Sequence, residues 1–363
     1  MGNGGCQCAA KKRRKLLLVG VLQATSWLSS EEALRRRAVI RELCHVEASK
    51  ATLRFVLPRQ DEGRDASLGD SLLLDIPRKG NRTLRKFFLQ HAFFRHAVHL
   101  NYRFVARADE DSIFNASVIA AELARTRGTH VVYASMVPKW YMWNEDSLAD
   151  LCWMGTKSPM RFLGYLKDFN RNAVNGTRWR YAGVVPNASS SAIAADQECF
   201  TAGSVGPFHY PDGPFTAYST PLLRELLALP ELARDVARIE SSEYGEMPHK
   251  GNARYRANPM LDLKEDVYFG YLLFRGLGMS NITFVHIKVV DFRRATPHLF
   301  PARVLHKVKA AWQADYVREN RVRLLRAGNA AGTRLTLKCD QAYGERMHRM
   351  VQRGRDWQLC AFL

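Results

Sequence analysis

The chain has 363 residues, of which 47% are hydrophobic and 10% aromatic. A chain this apolar is not disordered, and its length allows one large domain or two ordinary ones. Lys and Arg exceed Asp and Glu by 54 − 35 = 19, which favours polyanionic partners such as nucleic acid, phosphorylated small molecules or acidic lipids. The seven cysteines are dispersed without a C-x-x-C pair, and this argues against a zinc ribbon or a thioredoxin-type site.

The N-terminal segment KKRRKLLLVGVLQATSW allows three interpretations. A signal peptide fits its basic residues, although the apolar run from Leu16 to Leu22 is short for one. A transmembrane helix is excluded because it needs about 20 apolar residues. The third interpretation, a buried first strand, is favoured because the following SSEEALRRRAVIREL predicts a helix capped by Ser29 or Ser30. Residues 1–15 are then predicted to be a basic flexible leader.

The next elements follow in a regular order. Strands are predicted at ATLRFVLP, SLLLDI, NYRFVAR and HVVYASMV, and helices at NRTLRKFFLQHAFFRHAVHL and SVIAAELART. The order β-α-β-β-α-β-α-β predicts an α/β fold in which helices cover both faces of a mostly parallel central sheet. Residues 140 to 215 are rich in Trp, Tyr, Gly, Asn and Pro and are predicted to form long loops. Beyond them, TPLLRELLAL and KEDVYFGYLLFRGLG predict helices, and NITFVHI predicts a strand.

Three consecutive acids, Asp109, Glu110 and Asp111, follow the predicted strand NYRFVAR. Three carboxylates cannot all stay ionised in an apolar setting unless cations offset them. Alternate side chains of an extended segment point the same way, so Asp109 and Asp111 suit a hard divalent ion such as Mg²⁺ or Mn²⁺. In open α/β sheets, ligands bind beyond the carboxyl ends of the strands, where this triplet falls. The alternative is a solvated acidic turn.

Two further groups carry candidate chemistry. Glu265 and Asp266 begin a predicted helix, where acids are favoured by the helix dipole but where a general base can also be placed. His306 follows a short apolar run and offers a third metal ligand, although a lone histidine in such a place is more often structural.

Five N-x-S/T sites begin at Asn81, Asn115, Asn175, Asn187 and Asn281. This excess over chance supports a secretory-pathway lumen, with an accidental cluster as the alternative. Asn115 is expected to be buried and unglycosylated because it lies near the acidic triplet.

Several motifs occur in the order found in one enzyme family. FVARADEDSIFN resembles the K-x-D-D-D-x-F-x-N signature of β-1,3-galactosyltransferases, β-1,3-N-acetylglucosaminyltransferases and fringe-like enzymes, and KEDVYFG resembles their E-D-V-Y-x-G. LLLVGVLQATSW with LRRRAVIREL resembles their first strand and helix. YPDGPFTAYSTPLLREL is similar to their Y-P segment, although Ala217 stands where a Gly is usual. The likeness is greatest to protozoan UDP-Gal or UDP-GlcNAc-dependent glycosyltransferases.

The resemblance implies a GT-A (nucleotide-diphospho-sugar transferase) fold over residues 16–316, followed by a basic C-terminal extension at 317–363. It implies an inverting, metal-dependent hexosyltransferase that uses Mn²⁺ or Mg²⁺, a UDP-Gal or UDP-GlcNAc donor and a glycan or glycoprotein acceptor. Asp266 would be the catalytic base. The metal ligands would be Asp109, Asp111 and His306, and the nucleotide contacts would include Arg36, Arg37, Arg107, Asp109 and Glu110. Acceptor rings could stack on Trp140, Trp143 and Trp153.

Two other possibilities stay open at this point. One is a basic nucleic-acid-binding protein, with KKRRK and the arginine-rich tail on phosphates. The other is an inactive relative of the transferases. The family resemblance implies a Golgi or ER membrane or lumen, although the chain shows no anchor helix in its sequence.

Overall fold

The computed structural model describes residues 15–23, 30–44, 46, 50–59, 69–77, 82–144, 149–153, 204–241, 263–277, 282–292, 302–309, 311–324, 333–335, 337–339 and 360–362. The helices are α1 (Ser30–Leu43), α2 (Arg82–Ala97), α3 (Ala116–Arg125), α4 (Thr220–Leu227), α5 (Pro230–Ser241), α6 (Glu265–Arg275) and α7 (Ala311–Leu324).

The first strands are β1 (Lys15–Leu22), β2 (Ala51–Pro58), β3 (Ser71–Leu74), β4 (Tyr102–Asp109), β5 (Ser112–Phe114), β6 (Val131–Asn144), β7 (Ala149–Trp153) and β8 (Ser204–Ser219). The later strands are β9 (Thr283–His286), β10 (Val289–Asp291), β11 (Val304–His306), β12 (Thr333–Leu335), β13 (Leu337–Cys339) and β14 (Cys360–Phe362).

Over the described residues, the main sheet has the order β12-β9-β6-β8-β4-β1-β2-β3, with β7 paired to β6. Strands β1, β2, β3 and β4 are parallel, and so are β6 and β9. Strand β8 is antiparallel to both β4 and β6, so β4 and β6 run in the same direction. The carboxyl ends of six strands therefore meet at one edge of the sheet, which is where ligands bind in open α/β folds.

Two hydrophobic cores lie on opposite faces of this sheet. Along β1, Leu18 and Leu22 belong to one core, while Leu17, Val19 and Val21 belong to the other. Helices α2, α4, α5 and α6 contribute to the first core, and α1, α3 and α7 contribute to the second. The predicted α/β class, with helices on both faces of a mostly parallel sheet, is confirmed.

Strand β1 confirms one of the three interpretations of the N-terminal apolar run. It lies between β2 and β4, and its residues from Leu17 to Leu22 are buried. Gly20 is required in this strand because a Cβ there would lie 2.5 Å from Cζ of Phe93. The described residues include no helix that is long and apolar enough to cross a membrane.

The structure differs from the predicted long loops between 140 and 215. Strand β6 runs to Asn144, β7 pairs with it, and β8 begins at Ser204. The prolines and glycines of YPDGPFTAYS are typical of a loop, so the sequence does not predict this strand. Its pairing with β6 is irregular next to Met136, and its partners are far away in sequence.

In the C-terminal part of the chain, the predicted domain boundary at 316 falls inside α7, and β12 pairs with β9 in the main sheet. The leader at 1–15 lies outside the described residues apart from its last residue.

Candidate metal centre and active site

The acidic triplet lies at the carboxyl edge of the main sheet. Asp109 is the last residue of β4 and is in register with Leu22, the last residue of β1. Glu110 and Asp111 form the turn between β4 and β5, and both are buried. The strand therefore ends as the sequence predicts, with its acids at the edge where a ligand can reach them.

A small three-stranded sheet brings His306 to the same place. In the order β10-β11-β5, His306 of β11 is in register with Ser112 of β5. The backbone N–H of Val308 donates to the carbonyl oxygen of Asp111 over 3.0 Å. Lys307 adopts a φ of 67°, which turns the chain directly after the histidine. Pairing of residues almost 200 positions apart thus fixes His306 opposite Asp111.

Asp109, Asp111 and His306 form a set of three metal-ligand side chains. One ligand atom from each lies within 4.8 Å of the other two. Nε2 of His306 is 3.4 Å from Oδ1 of Asp111 and 3.7 Å from Oδ2 of Asp109. Two carboxylates and an imidazole are donors that Mn²⁺ and similar divalent ions accept, so the predicted ligand set fits such an ion.

Both ligand carboxylates are also held by cations. Oδ1 of Asp109 lies 2.8 Å from Nζ of Lys86 and 2.8 Å from an Nη of Arg107. Oδ2 of Asp111 lies 3.2 Å from Nζ of Lys309. Burial would raise the pKa of Asp111, but His306 and Lys309 together hold it well below its usual range. Asp111 is therefore ionised. The remaining oxygens, Oδ1 of Asp111 and Oδ2 of Asp109, lie toward Nε2 of His306, where an ion can contact them.

Glu110 points to a neighbouring cleft. Its Oε1 is 3.5 Å from an Nη of Arg36, whose Nε donates to Glu32 over 2.8 Å. Arg36 and Glu110 line an open cleft together with Arg35, Lys309 and apolar side chains of α1, β5 and α7. The cleft lies directly beside the metal-ligand set, because Lys309 lines the cleft and its Nζ also contacts Asp111. Contact of Arg36 or Glu110 with a nucleotide stays a prediction.

Arg37 and Arg107 lie deeper than a surface contact would need. Arg37 is 2% exposed, and its Nε donates to Oε1 of Gln23 over 2.5 Å. Arg107 is 1% exposed and joins Asp109 to Glu265. Their predicted contact with a nucleotide stays a prediction, and this burial does not favour it. Nε2 of Gln23, at the carboxyl end of β1, is buried without a hydrogen-bond partner in the part of the chain that the structure describes.

Helix α6 begins with the pair Glu265 and Asp266. Oε1 of Glu265 lies 2.5 Å from Nζ of Lys86 and 3.3 Å from an Nη of Arg107. Burial would raise the pKa of Glu265, but these two cations lower it. Asp266 has the opposite outcome: burial, followed by the adjacent charge of Glu265, raises its pKa to about 7, against the opposing effect of Arg107. A carboxyl group with such a pKa can accept a proton near neutral pH.

Strand β8 places a glycine against Asp266. A Cβ on Gly213 would lie 3.1 Å from an Nη of Arg107 and 3.2 Å from Oδ2 of Asp266. A side chain here would press on both groups, and the backbone N–H of Gly213 donates to Oδ1 of Asp212 over 3.0 Å. Arg107 thus lies close to both the metal-ligand carboxylate Asp109 and the candidate base Asp266.

The structure brings together most of the side chains singled out from the sequence. Asp109, Asp111 and His306 form one cluster, and Arg107 connects it to Asp266. Three contributors were missed, namely Lys86, Lys309 and Gly213.

Two other predictions lie at the margin of the site. Asn115 is half-buried and caps α3, its side chain accepting from the N–H of Val118 over 3.1 Å. Asn115 is therefore less buried than expected, and the absence of glycosylation at this sequon stays a prediction. The side chains of Trp140, Trp143 and Trp153 lie outside the described residues, as do the asparagines of the other four sequons.

Comparison with known proteins gives solved structures only. A scan of protein-family models and a search of curated proteins both find no match. Mouse xyloside xylosyltransferase 1 is 11% identical, with 80% of this chain and 96% of that one covered at a TM-score of 0.35. The galactosyltransferase LgtC, solved with donor and acceptor sugar analogues, is 10% identical, with 87% and 96% covered at 0.37.

A glycosyltransferase involved in glycosylating the major capsid of PBCV-1 is 8% identical, with 85% and 99% covered at a TM-score of 0.34. Likenesses at these scores assign neither a family nor a function. Fold and site by themselves define an α/β protein with a candidate divalent-metal centre, and a candidate base nearby, at the carboxyl edge of its sheet.

Proposed function

We propose that the chain is an inverting, metal-dependent glycosyltransferase of GT-A fold that moves galactose or N-acetylglucosamine from a UDP-sugar to a glycan hydroxyl, forming a β-1,3 link. The observation that carries the proposal is the convergence of Asp109, Asp111 and His306 beside a basic cleft, with Asp266 linked to them through Arg107. The motif order read from the sequence supports the same class.

The donor would bind at the carboxyl edge. Asp109, Asp111 and His306 would hold a divalent ion, which when bound supplies Lewis-acid stabilisation of the leaving diphosphate. Lys309 is 42% exposed at the rim of this set, and Arg36 lies in the adjoining cleft. Both side chains can therefore donate to phosphate oxygens. The unpartnered Nε2 of Gln23 offers a further buried donor at the end of β1.

The acceptor would be activated by Asp266. With a pKa of about 7, its carboxyl group is largely ionised just above neutral pH and still basic enough to take a hydroxyl proton. Attack of that oxygen on the anomeric carbon from the face opposite UDP would invert the configuration. Asp109, on one side of Arg107, would thus help to hold the donor, and Asp266, on the other side, would remove the proton.

The nucleic-acid alternative finds less support. It needs solvated acids in the triplet, whereas Glu110 and Asp111 are 6% and 7% exposed and are paired with Arg36 and Lys309. Residence in the Golgi or ER, with membrane association, remains part of the proposal and rests on the motif resemblance and the sequons alone.

Calorimetric titration with UDP tests the proposal at the binding step. We expect UDP to bind in the presence of Mn²⁺ and to bind at least about tenfold more weakly after chelation, because without the ion the carboxylates of Asp109 and Asp111 would repel the diphosphate. Binding of a nucleic-acid duplex, together with no binding of UDP or UDP-sugar, would instead favour the alternative.

A further inference from the structure

Lys86 occupies an unusual position between two carboxylates that belong to different parts of the site. Its Nζ lies 2.8 Å from Oδ1 of Asp109 on β4 and 2.5 Å from Oε1 of Glu265 on α6. The side chain is 21% exposed, so it lies at the boundary between the interior and the solvent. One ammonium group therefore serves a metal-ligand carboxylate and a carboxylate next to the candidate base.

The other cations of the described site differ from Lys86 in position or in exposure. Arg107 contacts the same two carboxylates, but it is 1% exposed and packs closely against Gly213. Lys309 contacts Asp111 from the rim of the site, and Arg36 contacts Glu110 in the cleft. Lys86 is thus the partly exposed cation in the described cluster that contacts Asp109 and also has a second acid within reach.

A cation on Asp109 opposes a divalent ion on the same carboxylate. Two like charges a few ångströms apart in a partly buried site repel each other, and solvent screening weakens this repulsion only in part. Glu265 should favour binding of the ion, because its negative charge offsets Lys86 and Arg107. It also gives Lys86 a partner when an ion binds Asp109. Removing either charge should therefore change metal affinity, but in opposite directions.

We propose that Lys86 is a counter-cation of the metal centre that competes with the divalent ion for Asp109, and that Glu265 is its alternative partner. The inference rests on the proposed function, since it takes Asp109 as a metal ligand. It adds that metal affinity is set by an ion pair outside the ligand set. It also connects the ion to α6, because Glu265 precedes the candidate base Asp266.

The test is the affinity of the full chain for Mn²⁺ alone, measured from the electron paramagnetic resonance signal of the free ion. Lys86→Met keeps the length of the side chain and removes its charge, so we expect Mn²⁺ to bind about three- to tenfold more tightly. Glu265→Gln should weaken binding by a similar factor. The double variant should return to within about twofold of the unmodified chain, since the two charges cancel.

Three further variants separate charge from structure. Lys86→Arg should restore the weaker binding, and Lys86→Gln serves if the methionine variant does not fold. Asp70→Asn breaks an ion pair with Arg41 at the amino end of β3, on the opposite edge of the sheet, and should leave affinity unchanged. Urea unfolding of every variant identifies any that are not folded.

A purely structural role for the pair predicts a different pattern. If Lys86 only holds Asp109 in place, both single variants weaken Mn²⁺ binding, and that result overturns the inference while the proposed function stands. Unchanged affinity in both variants overturns it as well. The unmodified chain could bind no Mn²⁺, or it could bind Mn²⁺ that Asp111→Ala does not remove. In either case the inference and the proposed metal-dependent function fail together.

Discussion

Replacing Asp111 by alanine is expected to reduce Mn²⁺-dependent sugar transfer on the order of 10³-fold, because the leaving diphosphate loses its main electrostatic stabilisation. Asp111 is the acid that lies 3.4 Å from His306 and 3.2 Å from Lys309, so its loss removes one candidate metal ligand and the carboxylate partner of Lys309. The measurement is kcat/KM for transfer from UDP-Gal and UDP-GlcNAc over a range of Mn²⁺ concentrations.

The matched control for this variant is Asp70→Ala. Asp70 is a half-buried carboxylate whose Oδ2 is 2.7 Å from Nε of Arg41, and it precedes β3 at the amino edge of the sheet. Its loss should leave the rate within about twofold, the change expected of an ion pair remote from the chemistry. Equal losses in the two variants would show that the effect of Asp111→Ala comes from stability and not from the site.

Asp266→Asn is the second change with a large expected effect. Removing a general base lowers the rate by about 10²- to 10⁴-fold, while the metal-ligand set and the basic cleft are untouched. We therefore expect UDP and Mn²⁺ to bind the variant as they bind the unmodified chain. The pair of measurements is kcat for transfer and the calorimetric affinity for UDP with Mn²⁺.

The pH profile gives an independent test of the same residue. Asp266 must be ionised to accept a proton, and its pKa is about 7. The rate should therefore rise with pH through a midpoint near 7 and level off about one unit above it. Glu265→Gln removes an adjacent negative charge, so the pKa of Asp266 and the midpoint of the profile should both move to lower pH. A profile that is flat between pH 5 and 8 would exclude Asp266 as the base.

The sheet could be predicted from the sequence where the signal is local. Continuous apolar runs predict β1 and β4, and the helical spacing of Leu84, Phe87 and Phe94 predicts α2. Strand β8 could not be predicted in this way. Its prolines and glycines look like a loop, and the strand forms because β4 and β6 lie on either side of it.

The candidate site shows the same division. The position of the acids at the end of β4 follows from the order of the elements. The prediction of His306 as a metal ligand rests on its place after a short apolar strand and on the family resemblance. Lys86 gave no signal, since a lysine in TLRKFF fits an exposed helix face. Its contacts with Asp109 and Glu265 join residues 23 and 179 positions apart in sequence, and only the packing of α2 and α6 on the sheet creates them.

The most direct test of the central claim is release of UDP from UDP-Gal and UDP-GlcNAc by the full chain, with Mn²⁺ and with a chelator. A cluster of Asp109, Asp111 and His306 that serves a sugar nucleotide predicts UDP release from at least one donor that requires the ion and is lost in Asp111→Ala. Release that continues in the chelator, or no release and no UDP binding under any of these conditions, would contradict it.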